Sequence, residues 1–68
     1  MKKIEMLVHK SIALKLQEAQ NIHNLPINIH VKTIIHGMVP MTFEFDEEDD
    51  LLARWFTETL IDRFSREL

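Results

Sequence analysis

Gly37 is the only glycine in the chain, and it separates two stretches whose side chains alternate between apolar and polar. INIHVKTII puts Ile27, Ile29, Val31, Thr33 and Ile35 on one side of an extended backbone, and Asn28, His30, Lys32 and Ile34 on the other. VPMTFEF turns Val39, Met41, Phe43 and Phe45 the same way. A period of two marks a strand with one buried face. Residues 27–45 are therefore predicted to form a β-hairpin about His36 and Gly37. A hairpin alone is marginal in water, so the remaining residues must cover its apolar face.

The connection can be read further, because residues directly opposed in an antiparallel pair lie on the same face. A two-residue loop at His36 and Gly37 opposes Ile35 to Met38, and carried along the strands it sets Val31 against Thr42 and Ile29 against Glu44. That matches apolar to polar. Either the loop has three residues, pairing Ile35 with Val39 and Val31 with Phe43, or a bulge near Pro40 absorbs the extra residue. Pro40 has no amide donor and suits an edge or a bulge better than a central strand.

From Glu47 to about Glu67 there is neither proline nor glycine, and Asp46 stands where an N-cap belongs. At about 100° per residue, Leu52, Ala53, Phe56, Leu60 and Phe64 share a face, with Leu51 and Trp55 placed on its margin. Asp50 with Arg54, Arg54 with Glu58, Asp62 with Arg66 and Arg63 with Glu67 stand at i,i+4. A long amphipathic helix is expected over 47–67.

Residues 12–24 also have helical spacing, with Ser11 as cap, Ile12, Leu16, Ala19 and Ile22 on one side, and Asn24 and Pro26 ending the run. Lys3 to His9 reads two ways: Ile4, Met6 and Val8 alternate as in a strand, while Ile4, Leu7, Val8 and Ile12 fit a helix. The strand is preferred because a third strand makes a sturdier sheet. The fold class is therefore α+β, one small domain over 1–68 in the order βαββα, with αββα as the alternative.

With 68 residues the chain buries only about 60% of the surface its unfolded form exposes. It has no cysteine, which excludes disulfides and thiolate metal sites and points to the cytoplasm. Glu5, His9 and Lys10 interrupt any signal-peptide core after Lys2 and Lys3, and no run approaches a membrane span. Residues 1–43 hold five lysines against Glu5 and Glu18, a balance of +3, whereas residues 44–68 hold nine acids against three arginines, −6. The two halves attract each other, within one fold, across a dimer or through a basic partner.

No catalytic constellation stands out. His9, His23, His30 and His36 lack metal-ligand spacing, the acidic run lacks the alternation of a calcium loop, and Ser11 and Ser65 have no glycine-built loop beside them. Neither an enzyme nor a cofactor is expected. Direct nucleic-acid binding is disfavoured by the negative balance and by the lack of any aromatic residue before Phe43.

Three features remain. FEFDEEDD carries more charge than a helix start uses. The surplus at Glu44, Glu47, Glu48 and Asp50 is either a solvated face or a surface for a basic partner. Trp55 is expected mainly to fill the core, and otherwise to act with Asp50 and Arg54 as an interface anchor. Ile34, Met38, Pro40 and Ile61, the last near Leu68, are apolar on faces assumed polar and form the candidate self-association patch, with a homodimer preferred.

These features point to a small non-enzymatic regulator that binds another protein through an acidic helix. The order strand, helix, hairpin, acidic helix resembles the DinI family of RecA modulators in topology and charge. That resemblance implies an acidic last helix as the working surface, and it adds to the alternative read from the carboxylate row itself, a mimic of phosphates that blocks a DNA- or RNA-binding protein. The αββα alternative is similar in layout to small phage head-completion proteins, which implies a structural part of an assembly.

Overall fold

The computed structural model describes residues 1–67 and is an α+β domain of three antiparallel strands and two helical segments. Strand β1 (Lys2–His9) leads into helix α1 (Lys10–His23), followed by strands β2 (Asn28–Val31) and β3 (Met38–Phe45). The last segment begins as a 3₁₀ turn (Glu47–Asp49) and continues as α2 (Asp50–Arg54), a π turn (Trp55–Leu60) and α3 (Ile61–Glu67). The N-terminal residues are a strand, which removes the αββα layout.

The sheet order is β1-β3-β2, so β3 is paired on both sides. Ile4 and Ile29 flank Phe43, Met6 and Val31 flank Met41, and Val8 lies beside Val39. These apolar rows face the helices. Val8, Val39, Met41, Phe43 and Phe45 are buried there with Ile12, Ala13, Leu16, Ile27, Ala53, Phe56 and Leu60. At the centre Phe43 and Phe56 meet edge to face with ring centroids 6.0 Å apart. No helix of the described residues is long and apolar enough to cross a membrane.

Pro40 lies on the central strand, not on an edge. The sheet accommodates it because its missing donor is needed on only one side, while its carbonyl accepts the Lys32 N–H at 3.0 Å. The connection before it has two residues, with Ile35 and Met38 exchanging both backbone hydrogen bonds at 2.9 Å. His36 and Gly37 have φ of 51° and 79°, the positive pair that a type I′ turn requires. Pairing resumes at Lys32 with Pro40, which leaves Thr33 and Ile34 together opposite Val39. The bulge alternative is the one realised. It restores the parity that sets Ile29 beside Phe43, and it places Val31 opposite Met41 rather than Phe43.

Several local expectations change. The cap of α1 is His9, whose Nδ1 accepts the Ser11 N–H at 3.3 Å and lies 2.7 Å from the Ser11 hydroxyl. Ser11 is thus inside the first turn. Asn24 ends the helix in the left-handed conformation at φ 49°. Ile22 is exposed because the end of α1 runs past the core, while Ala13 and Ile27 are buried in it. Asp46 stops the strand but makes no side-chain cap; its carbonyl accepts the Asp49 N–H at 2.9 Å instead.

The π turn is invisible to a uniform 100° spacing. Each i→i+5 turn takes an extra residue, so side chains beyond it lag behind the regular wheel. Ile61, expected opposite the apolar stripe, thereby packs against the core. Thr57 is buried in the same turn, where its hydroxyl donates to the Ala53 carbonyl at 3.0 Å.

Candidate functional site

The acidic run divides once it is folded. Glu44 is on β3, on the sheet face that no helix covers, where its Oε1 lies 3.0 Å from His30 Nε2. Asp50 is partly covered and sits between Lys2 Nζ at 3.5 Å and Arg54 Nε at 3.1 Å. Both carboxylates already have cationic or hydrogen-bonding partners in this chain, and the Lys2 contact answers part of the attraction between basic and acidic halves. Lys15 answers another part, with Nζ 2.9 Å from Glu67 and 5.5 Å from the centre of the Phe64 ring.

Asp46, Glu47 and Glu48 are exposed, and none forms an ion pair among the described residues. Oxygens of Asp46, Glu48 and Asp49 all lie within 4.8 Å of one another. Exposed acidic groups this close are common without an ion, and among the described residues no buried ligand joins these three. Their closeness makes this corner strongly negative instead.

Trp55 is not in the core: it is 45% exposed, and Leu51 is 82% exposed. Ala53, between them, is fully buried. Two residues away in either direction is about 200° around an α-helix, so burying Ala53 turns both large side chains outward. The helix margin therefore becomes its outer face. Glu48 and Glu58 are exposed as well in the neighbouring turns, whereas Asp62 lies beyond the π turn and pairs with Arg66 at 3.1 Å. The resulting ridge is Leu51 and Trp55, with exposed Glu47, Glu48, Arg54 and Glu58 within about one turn of them in sequence. Of the residues singled out in the sequence, the structure gathers Glu47, Glu48, Arg54 and Trp55 here and places Glu44 and Asp50 elsewhere. Leu51 was not singled out, although a wheel centred on Ala53 places it opposite the buried side.

The apolar patch is also divided. Met38 and Pro40 lie on the open sheet face with exposed Leu7 and Ile35. Ile34 is turned to the helix side by the bulge, where it lines a cleft with Ala13, Leu14, Val31 and Val39. Ile61 packs on the core, and Leu68 lies outside the described residues. The four residues do not form one surface.

No protein-family model, no curated protein and no solved structure matches this chain. The layout shared with DinI proteins therefore carries no family membership.

Proposed function

We propose that this protein is a small binding module that docks the outer ridge of its C-terminal helix onto another protein. The observation that carries this reading is the exposed Leu51–Trp55 pair, held outward by the burial of Ala53, with exposed Glu48 and Glu58 in the neighbouring turns. Two adjacent large apolar side chains lose water-exposed area on contact, and tryptophan is a frequent anchor of interfaces. The acids select for a partner whose apolar groove has a lysine or arginine rim, and they speed its approach at low salt. No step of bond making is involved. A nucleic-acid-binding partner is the sharper version, favoured by Asp46, Glu47 and Glu48 at the head of the ridge, which form no ion pair among the described residues.

The test compares capture from a native extract by immobilised wild-type chain, Leu51→Ser/Trp55→Ser and Glu48→Gln/Glu58→Gln. A partner held by wild type and lost from both variants, with far-UV circular dichroism unchanged, supports the reading. Equal capture by all three chains sinks it. Release of the partner by added duplex DNA identifies the mimic version.

A further inference from the structure

The sheet has two free edges, and they are guarded differently. On β1 the first inward-facing position is Lys2, opposite Phe45, and a charge pointing inward at an edge discourages another strand from pairing there. On β2 the inward positions are Ile29 and Val31. Because the Lys32 N–H donates to Pro40, the alternation of an antiparallel ladder directs the backbone groups of Asn28, His30 and Lys32 toward β3. Those of Ile29 and Val31 point away from the sheet, where the order β1-β3-β2 supplies no neighbour. Beside this edge runs a groove under α1. Its apolar end, about 410 Å³, is lined by Ala13, Leu14, Val31, Ile34 and Val39. Leu14, Val31 and Ile34 are all exposed.

We propose that β2 pairs antiparallel with β2 of a second copy about a twofold axis at His30, giving a six-stranded sheet β1-β3-β2-β2-β3-β1. The occupant is a second copy because the edge is complementary to itself. In this register Ile29 exchanges two backbone hydrogen bonds with the second copy's Val31, and symmetry repeats the exchange. The inward row stays apolar across the junction and covers Val31. On the other face the second copy's Lys32 stands opposite Asn28, in one row with Glu44, which neighbours Asn28 on β3. At about 4.8 Å between strands, the Glu44 and Lys32 backbones are roughly 10 Å apart, within reach of two long side chains. Glu44, already 3.0 Å from His30 Nε2 of its own chain, would then lie between that ring and the second copy's Lys32, and the arrangement occurs twice. The interface shares no residue with the acidic ridge, so the two proposals stand separately.

Light scattering across a concentration series, with amide hydrogen exchange, tests the pairing. Wild type is expected to approach twice 8.1 kDa, and the amides of Ile29 and Val31 gain protection as concentration rises. Val31→Pro removes an outward N–H without touching the internal ladder, and Lys32→Glu sets like charges in the row that holds Glu44. Each should return the mass to one chain while circular dichroism still reports a folded domain. A wild type that stays at one chain mass near millimolar concentration overturns the proposal. So does a dimer whose Ile29 and Val31 amides exchange as fast as in the monomer, even if one variant fails to fold.

Discussion

Trp55 and Phe56 are neighbours in sequence with opposite surroundings, so truncating each tests the rotation of the C-terminal helix. Phe56 is 0% exposed and packs edge-on to Phe43, also 0% exposed. Truncation of a buried phenylalanine costs about 3–5 kcal/mol through lost transfer energy and the cavity left behind. A domain of this size has roughly 3–5 kcal/mol in total. Phe56→Ala should therefore be largely unfolded at 25 °C, whereas Phe56→Leu, which keeps most of the volume, should fold with reduced stability. Trp55 is 45% exposed, and none of its neighbours in the core depends on it to fill space. Its truncation should cost no more than about 1–2 kcal/mol, a fraction of the buried-aromatic value. The assay is urea unfolding followed at 222 nm, which does not depend on the tryptophan signal. If Trp55→Ala unfolds the protein as thoroughly as Phe56→Ala, the helix is rotated from the orientation described and the exposed ridge does not exist. If Phe56→Ala keeps a full transition near that of wild type, the Phe43–Phe56 contact is not the centre of the core.

Other substitutions probe the local devices. Gly37→Ala meets no atom within 4 Å of the new Cβ, so its effect is purely that of a φ of 79°. That costs about 1–2 kcal/mol, read as a fall in Tm of roughly 5–15 °C. His9→Ala removes the side-chain cap of α1 and should cost about 1 kcal/mol in chemical denaturation, with Ser11→Ala smaller because Ser11 is not the cap. Thr57→Val keeps the shape of a buried side chain but removes its bond to the Ala53 carbonyl; a loss of about 1 kcal/mol is expected. Lys2→Met breaks an exposed pair with Asp50 and should change stability by no more than about 1 kcal/mol, an effect that shrinks in high salt.

The elements themselves were legible. Alternation identified the two hairpin strands, and the unbroken helical period after Asp46 identified the last helix, because both patterns come from one buried face on each element. The third strand was legible only as a preference, since Ile4, Leu7, Val8 and Ile12 fit a helix as well as Ile4, Met6 and Val8 fit a strand. Turn parity showed that a three-residue loop or a bulge near Pro40 had to interrupt the hairpin, without choosing between them. The bulge at Thr33 and Ile34 moves Ile34 to the helix side and Ile35 to the open face, and that exchange broke up the surface patch read from the sequence. On the C-terminal helix the acids were legible as a group, whereas the choice among them was not. Glu44 and Asp50 are withdrawn by His30, Lys2 and Arg54, of which only Arg54 is near in sequence.

By itself the sequence determined the class of fold and the presence of an acidic helix surface, because periodicity and charge are properties of each segment taken alone. Which residues reach solvent was decided only by the tertiary structure. Packing Ala53 and Phe56 against Phe43 fixes the rotation of the helix, and that rotation turns Leu51 and Trp55 outward together. Likewise the order β1-β3-β2 leaves Ile29 and Val31 with outward backbone groups, since a strand's partners are set by distant residues and not by its own pattern.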